Sequence, residues 1–337
     1  MPHVEKNVSL RPYHTFQLNA KAQFFCTCNS LTEIREILQD PTYQTYQKLI
    51  LGGGSNMLFT QDFKGLVIYI NLKGMEVIDE NEEFVRVRVG AGEDWDKFVE
   101  YTVQQNWSGL ENLSYIPGNV GASPIQNIGA YGDEVKNTIS KVETLDVDSL
   151  QTVEYTNKQC QFGYRNSIFK KQLKHKRIVT RVTFELRKNH VFNLDYGVLK
   201  DTVQGKGKIT LQNIRNAVIE IRKSKLPEPD ELGSAGSFFK NPVITKSQLD
   251  KLQQQFPNIP FYALEEDKNK VPAGWLIDQL GWKGFRKGDA GVHRKQALVL
   301  VNYGNASGRE IYDLSQEIRE SVYKRYGIGL EYEVNIL

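Results

Sequence analysis

Two glycine-rich segments interrupt the sequence, and the longer one limits most strongly how the chain can fold. The stretch between Asn112 and Asp133 contains six prolines and glycines, namely Pro117, Gly118, Gly121, Pro124, Gly129 and Gly132. Neither a helix nor a strand tolerates this density, because proline lacks a backbone donor and glycine weakens both structures. The segment is therefore expected to be a long ordered loop.

The shorter segment, Gly52 to Gly54, follows a predicted strand but completes no common phosphate fingerprint. A dinucleotide fingerprint would need glycine where Met57 stands, and the pair Gly90 and Gly92 would need one where Trp95 stands. No glycine precedes a Gly-Lys-Ser/Thr sequence at the spacing of a P-loop. The backbone N–H groups of consecutive glycines can still point together and bind an anion. Two such segments favour an extended phosphate-bearing ligand over simple tight turns.

The remaining pattern predicts mixed α and β structure. Pro227 and Pro229 would stop one helix, and Ser307 with Glu310 forms a capping box that opens another. Periodicity predicts strands at Phe84 to Val89 and Leu330 to Leu337, and helices from Trp95 to about Asn106, from about Thr210 to Ser224, and from Ser307 to Gly327.

Composition excludes several classes of protein. The 337 residues suffice for two or three domains, and 43 basic against 40 acidic residues leave a net charge of +3. This charge is too small to indicate a nucleic-acid-binding surface. The longest apolar run, Ala297 to Val301, is far shorter than the roughly 20 residues of a membrane helix. The N-terminus lacks the pattern of a secretory signal, so a cytoplasmic protein without membrane partners is expected.

The cysteines Cys26, Cys28 and Cys160 do not form a recognisable metal or disulfide set. Cys26 and Cys28 lack the second pair that a zinc site requires, and no metal is expected. Cys160 has no histidine near it in sequence that would support a nucleophilic role. Buried, structural thiols are the favoured interpretation.

Seven motifs resemble the UDP-N-acetylenolpyruvoylglucosamine reductase family and span about Leu10 to Val334 in the family's order. They are LGGGSNMLF (Leu51 to Phe59), GLENLSYIPGNVGASPIQNIGAYG (Gly109 to Gly132), FGYRNSIF (Phe162 to Phe169), KLPEP (Lys225 to Pro229), AGSFFKNP (Ala235 to Pro242), AGWLIDQ (Ala273 to Gln279) and LEYEV (Leu330 to Val334).

The resemblance implies an α+β fold. It comprises a two-lobed FAD-binding domain of the non-Rossmann, vanillyl-alcohol-oxidase (PCMH) type and a C-terminal α/β substrate-binding domain, which agrees with the missing fingerprints. The expected division is 1–67 for the first FAD lobe, joined by the C-terminal strand 329–337, then 68–209 for the second lobe and 210–328 for the substrate domain.

The implied activity is NADPH-dependent reduction of UDP-N-acetylenolpyruvoylglucosamine to UDP-N-acetylmuramate. This reaction serves peptidoglycan and cell wall synthesis, and hence cell shape and division. Hydride is expected to pass from NADPH to FAD and then to the enolpyruvyl group. No histidine lies in either glycine segment, so FAD is expected to bind non-covalently, and a monomer is expected.

The resemblance assigns catalysis to Arg165, Ser237 and Glu333. Ser237 would donate the proton that follows hydride transfer. The planar guanidinium of Arg165 would bind the substrate carboxylate and remain charged. Glu333 takes the second acidic place of the family's Leu-Glu-x-Glu-Val pattern, and Tyr332 stands where that pattern often has proline.

The remaining assignments are carried over position by position. Tyr196 matches a tyrosine on a mobile loop in one branch of the family. The implied substrate contacts are Tyr196, Lys225, Lys240, Asn241, Tyr262 and Gln296. The implied FAD contacts are Gly52, Gly53, Gly54, Ser55, Asn56, Met57, Leu58, Ile116, Pro117, Gly118, Gly121, Ala122, Ser123, Gln126, Asn127, Gly129, Ala130, Tyr131, Gly132 and Arg222.

Two alternatives stay open from the sequence. The first is another FAD-dependent oxidase or dehydrogenase of the same superfamily. The C-terminal motifs AGSFFKNP and LEYEV argue against it. The second is a protein that binds UDP-sugars without chemistry, which flavin absorbance of the purified protein would test.

Overall fold

The computed structural model describes residues 1–228, 230–264 and 267–337. Pro229, the second proline of the predicted helix stop, lies outside the described residues. The chain divides into two compact units. The first comprises Met1–Val8, Ala22–Gly53 and Lys64–Arg222, and the second Ser9–Lys21, Gly54–Phe63 and Lys223–Leu337. Two short N-terminal segments therefore pack with the C-terminal part of the chain.

The first unit is built on two sheets and helices. One sheet orders the strands Val4–Ser9, Lys21–Cys28, Phe63–Ile70 and Gln47–Leu51, of which the last two are parallel. The other is antiparallel, in the order Thr152–Thr156, Ile139–Asp146, Arg177–Arg187, Phe84–Gly90 and Met75–Glu80. The helices are Leu31–Gln39, Trp95–Gln104, Leu199–Gln204 and Leu211–Lys225. The short strands Gly129–Ala130 and Asp133–Glu134 pair with each other near the end of the longer glycine-rich segment.

The predicted valine strand shows how the first core forms. Val85, Val87 and Val89 are buried, whereas Arg86 and Arg88 point away and form ion pairs. This alternation is the two-residue period of a strand with one face covered. The strand and the helices predicted at Trp95 and Thr210 are confirmed within two residues at each end.

The second unit carries a separate core. One of its sheets orders the strands Gly233–Ser237, Val299–Asn302, Ala290–Val292 and Arg286–Lys287. A second orders Val243–Thr245, Lys268–Lys270 and Tyr262–Ala263. A third is the parallel pair Asn335–Ile336 and Met57–Leu58. The helices are Lys246–Gln255, Ala273–Asp278 and Gly308–Tyr326. The predicted capping box at Ser307 and Glu310 is confirmed, and Gly327 ends the helix with φ +66°.

The predicted final strand, Leu330 to Leu337, is wrong in its length. Only Asn335–Ile336 is a strand, paired with Met57–Leu58. Tyr332 instead forms an isolated bridge with Phe239. Because the segment changes its partner between residues 332 and 335, no continuous ladder forms.

The cysteines are buried and form no disulfide, as expected. Burial raises the pKa of the Cys160 thiol to about 12, so the reactive thiolate is scarce at neutral pH. Among residues 1–228, 230–264 and 267–337, no helix has the length and apolar character needed to cross a membrane. The same residues contain no cluster of three His, Cys, Asp or Glu side chains suited to a metal ion.

His14 is a buried titratable side chain in the second unit. Its Nε2 lies 3.3 Å from the Leu18 carbonyl oxygen, and its ring packs on Phe59 at a centroid distance of 5.2 Å. Burial lowers the pKa of His14 from 6.5 to about 4, and the contact with Leu18 opposes this only partly. The folded chain therefore holds a neutral imidazole.

We expect the free energy of unfolding to fall with pH in a His14-dependent manner. Between pH 6.5 and about 4, His14 is protonated in the unfolded chain but neutral in the folded chain. The contribution of His14 to the free energy of unfolding is therefore fully present above this window and is lost as pH falls through it. Each unit of pKa difference corresponds to about 1.4 kcal/mol. Urea unfolding of wild type and His14→Gln on both sides of the window measures the effect. Equal pH dependence in the two proteins would contradict it.

Candidate functional site

Ser237 lies at an irregular end of the strand Gly233–Ser237. The pairing of this strand with Val299–Asn302 shifts register between Ser234 and Ser237. Gly236 stands inside the shift with φ +68°, a backbone conformation that glycine adopts without a Cβ penalty. A bulge of this kind changes the direction of the neighbouring side chain. The direction of the Ser237 hydroxyl is thus set by the bulge rather than by regular pleating.

Glu333 lies on the segment beside Ser237. Its backbone N–H donates to the carbonyl oxygen of Phe238 at 3.0 Å, and Tyr332 bridges to Phe239. The residue after Ser237 is therefore hydrogen-bonded directly to Glu333. Two of the three predicted catalytic residues meet within the second unit although 96 positions separate them in the sequence.

The two acidic residues of the LEYEV motif have different environments. Glu331 is exposed and pairs with Lys240, with 2.9 Å between Oε2 and Nζ. Glu333 is half-buried, and its carbonyl oxygen accepts from Asn56 Nδ2 at 3.1 Å. Asn56 also accepts from the N–H of Asn335 at 3.0 Å. Asn56, two residues after the short glycine segment, thus fixes the backbone that carries Glu333.

Arg165 belongs to the first unit and lies on a tight turn. Its φ of +50° is uncommon for a residue with a side chain and indicates local strain. Gly163 and Asn166 close the turn through reciprocal backbone hydrogen bonds of 3.0 and 3.1 Å. Arg165 Nη2 donates to the Gly129 carbonyl oxygen at 2.7 Å. The guanidinium is therefore fixed against the long loop, which we define as Ile116 to Gly132.

The long loop and the start of the short glycine segment pack backbone against backbone. A Cβ on Gly53 would stand 2.5 Å from Asn119 Oδ1 and 2.7 Å from Gly118 Cα. A Cβ on Gly121 would stand 2.6 Å from the Cβ of Ala91. Only glycine allows approaches this close. The glycines thus allow these segments to pack more closely than side chains would permit.

Ser123 provides an independent indication of a ligand at the long loop. Its hydroxyl oxygen is buried and has no hydrogen-bond partner among the residues that the structure describes. Buried polar groups are normally satisfied, so such an atom requires an explanation. A bound molecule with a donor or acceptor at this position supplies one. The loop therefore fits the FAD that the sequence predicts.

Sequence reasoning missed the charged anchor of the long loop. Arg215 is 5% exposed and makes a two-pronged ion pair with Asp96, at 2.6 and 2.8 Å. Asp96 accepts from the N–H of Tyr115, directly before the loop, and Arg222 Nε donates to the Tyr115 carbonyl oxygen at 2.9 Å. Burial lowers the pKa of Arg222. The seven-residue spacing of the two arginines, which places them on one helix face, was the available signal.

Tyr196 and Arg222, two other predicted contacts, lie in the first unit. Tyr196 is 47% exposed, and its ring meets that of Tyr131 edge to face, with 6.0 Å between centroids. The position of the Tyr196 ring against the last residues of the long loop makes it available to a ligand there.

The remaining predicted substrate contacts lie in the second unit. Asn241 Oδ1 accepts from the N–H of Ala273 at 2.9 Å, and the His293 ring hydrogen-bonds the backbone of Lys225. Gln296 Oε1 is 3.0 Å from where a Cβ of residue 274 would stand. Tyr262 is 50% exposed, and its neighbours at 265 and 266 lie outside the described residues. Asn241 and Gln296 thus both lie next to the AGWLIDQ motif.

Comparison with known proteins gives consistent matches over both units. Residues 22–152 match the model of an FAD binding domain, and residues 228–337 match that of the C-terminal domain of UDP-N-acetylenolpyruvoylglucosamine reductase. The reductase of that name from Flavobacterium johnsoniae is 49% identical over 99% of both chains. That from Pseudomonas putida is 42% identical over 98% of both.

A solved structure supports the fold. The crystal structure of UDP-N-acetylenolpyruvylglucosamine reductase from Thermus caldophilus matches with a TM-score of 0.71 at 23% identity, covering 100% of this chain and 99% of that one. The predicted fold class, an FAD-binding domain followed by a reductase C-terminal domain, is confirmed.

Gly53→Ala should destabilise the chain in the absence of any ligand. The new methyl group would overlap Asn119, whose Nδ2 is fixed by a 2.9 Å hydrogen bond to the Gly92 carbonyl oxygen. Overpacking of this kind costs about 1–3 kcal/mol. Gly52→Ala is the matched control, because its Cβ would meet its nearest neighbour at an ordinary 3.7 Å. Equal melting temperatures of the two ligand-free variants would show that the described packing is wrong.

Proposed function

The chain belongs to the family of UDP-N-acetylenolpyruvoylglucosamine reductases, and we propose that Arg165, Ser237 and Glu333 are its catalytic residues. It is an oxidoreductase that reduces UDP-N-acetylenolpyruvoylglucosamine to UDP-N-acetylmuramate in peptidoglycan synthesis, with FAD as cofactor and NADPH as co-substrate. The single observation that best supports the residue assignment is the hydrogen bond between Glu333 and the residue following Ser237.

FAD, when bound, supplies the hydride-transfer chemistry that couples NADPH to the substrate. We propose that the long loop, Gly52 to Leu58 and Arg222 hold it. The buried Ser123 hydroxyl supports this, because a bound molecule would supply the hydrogen-bond partner that it lacks among the described residues. Non-covalent binding is proposed with it.

Ser237 is proposed to give its hydroxyl proton to the carbon that bears the substrate carboxylate, after hydride has reached the neighbouring carbon. A serine hydroxyl is a weak acid, so its neighbours must stabilise the charge that develops. Glu333, fixed to the next residue, is placed to orient or relay that proton. Lys240 lies three residues after Ser237 and pairs with Glu331, so it adds a positive charge to this part of the second unit.

Arg165 is proposed to bind the substrate carboxylate. Its guanidinium carries charge at any physiological pH, and its planar fork offers two parallel donors. Its Nη2 bond to Gly129 limits the side chain to one orientation. Negative charge that develops next to the carboxylate during reduction would be stabilised without movement of the arginine.

The UDP part of the substrate is assigned to five residues. Tyr196 is proposed to close over the nucleotide, and Lys225, Asn241, Tyr262 and Gln296 to contact it. Lys225 adds a positive charge suited to the diphosphate. The contacts of Asn241 and Gln296 with the AGWLIDQ motif support a shared role.

Location, oligomeric state, partners and domain division complete the proposal. We propose a cytoplasmic monomer without nucleic-acid or membrane partners, and the small net charge of +3 supports the absence of a nucleic-acid partner. The division into lobes 1–67 and 68–209 and a substrate domain 210–328, with 329–337 returning to the first lobe, stays a prediction. The two sheets of the first unit support the separation of the lobes.

The function is tested by the colour of the purified protein. Holoprotein should be yellow, anaerobic NADPH should bleach it, and UDP-N-acetylenolpyruvoylglucosamine should restore the colour much faster than UDP-N-acetylglucosamine. Rapid reoxidation by oxygen, with no response to the enolpyruvyl substrate, would favour an oxidase. Protein that gains no flavin absorbance on addition of FAD would favour a non-catalytic UDP-sugar-binding protein.

Ser237→Ala should separate the two half-reactions. Bleaching by NADPH should remain nearly unchanged, because that step needs no protein proton donor. Reoxidation by the substrate should slow by about 10² to 10⁴, the usual contribution of a positioned acid. Stopped-flow absorbance measures both rates, and Ser237→Cys, which keeps a proton on the side chain, should recover part of the loss. An equal decrease in both rates would contradict the proton-donor role.

A further inference from the structure

Asn112 is a buried side chain that is held rigidly near the long loop but belongs to no predicted site. It lies on a short turn at 2% exposure. On one side of it, the Glu111 carboxylate accepts from the N–H of Gly109 at 2.6 Å. On the other side, Trp95 Nε1 donates to the Leu113 carbonyl oxygen at 2.9 Å. The turn therefore presents Asn112 from a fixed base.

The side-chain amide of Asn112 joins two distant segments. Its Nδ2 donates to the carbonyl oxygens of Tyr131 at 3.0 Å and Asn193 at 2.7 Å. An amide NH₂ has two hydrogens, and both are used. Asn193 Nδ2 in turn donates to the Gly132 carbonyl oxygen at 3.0 Å. Three hydrogen bonds thus attach the segment at 193 to the end of the long loop.

The attached segment carries Tyr196 and packs closely. Gly132 has φ +83°, and a Cβ there would stand 3.2 Å from Asn193 Nδ2 and 3.3 Å from the Cβ of Tyr196. The Tyr131 ring contacts the Tyr196 ring edge to face. Asn193, Asp195 and Tyr196 are exposed, whereas Leu194 is buried against Leu199 and Val203. The hydrogen bonds made by Asn112 and the burial of Leu194 therefore both constrain the segment that carries Tyr196.

We infer that Asn112 is a positioning residue for UDP-sugar binding, an inference that rests on the proposed role of Tyr196. It fixes residue 193, at the base of the segment that carries Tyr196, to Tyr131 and Gly132. Tyr196 therefore closes over the nucleotide from a fixed base, and less conformational entropy is lost on binding than from an unattached segment, which strengthens binding. The residue acts on the nucleotide through Tyr196 and takes no part in reduction of the cofactor by NADPH.

Asn112→Ala tests the inference against a matched variant. Asn157 also donates both amide hydrogens to two carbonyl oxygens of the first unit, those of Lys136 and Ile139, each at 2.7 Å. The two alanine variants should therefore lose similar thermal stability. Only Asn112→Ala should raise KM for the UDP-substrate, roughly tenfold for two lost neutral bonds, while NADPH bleaching keeps its rate.

Hydrogen–deuterium exchange of the cofactor-free chain gives a readout independent of activity. Backbone amides of residues 191–198 should exchange faster in Asn112→Ala than in wild type or Asn157→Ala. Asn193→Ala, an exposed change that removes only the bond to Gly132, should produce a smaller effect in the same direction and replaces Asn112→Ala if that variant does not fold. Unchanged exchange and unchanged KM would overturn the inference.

Tyr196→Phe separates this inference from the proposed function. If Tyr196→Phe weakens substrate binding but the Asn112 and Asn193 variants do not, the positioning role is wrong and the proposed nucleotide contact stands. If Tyr196→Phe leaves KM unchanged while exchange at 191–198 rises in Asn112→Ala, the attachment exists but the nucleotide role of Tyr196 is wrong, and the inference fails with it.

Discussion

The first unit depends on the requirement that buried backbone groups be hydrogen-bonded. The long loop has little regular structure, so neighbouring elements must satisfy it. The Ala91 N–H donates to Thr180 on the antiparallel sheet, and the Ala91 carbonyl oxygen accepts from Gly121 of the loop, each at 2.9 Å. Trp95 N–H donates to the Gly118 carbonyl oxygen at 3.0 Å. The sheet and the following helix thus fix the long loop, and its proposed part in FAD binding depends on this attachment.

Two of the proposed catalytic residues, Arg165 and Glu333, are held by hydrogen bonds that involve backbone groups. Arg165 is fixed by a carbonyl oxygen of the long loop, and Glu333 is fixed by its backbone N–H and carbonyl oxygen. In Arg165 the guanidinium itself makes this contact, whereas in Glu333 the backbone makes it. The Asp96–Arg215 ion pair differs, because it joins two charged side chains of the helices Trp95–Gln104 and Leu211–Lys225. Arg215 is buried in this pair, and Asp96 is partly exposed.

Local pattern was sufficient to predict the elements that depend on local chemistry. The valine alternation, the helix at Trp95 and the capping box at Ser307 were confirmed because each depends on neighbours within a few residues. The final strand was predicted too long because its partner changes at Tyr332, which only tertiary structure determines. The roles of Asn112 and Arg215 escaped for the same reason. Their partners lie 19 or more positions away, and the spacing of Arg215 and Arg222 indicates a shared helix face but not the partner of either.

The attachment of Glu333 to Asn56 also has a consequence for synthesis of the chain. The two residues are 277 positions apart, and ribosomes add roughly 5–20 residues per second. Asn56 therefore emerges roughly 15–55 s before the residue that its side chain contacts. During this time Met57 and Leu58 lack the parallel strand that later covers their edge, and an open edge is a site for pairing with other chains. The pairing of Met57–Leu58 can therefore be completed only after Asn335 and Ile336 have been synthesised.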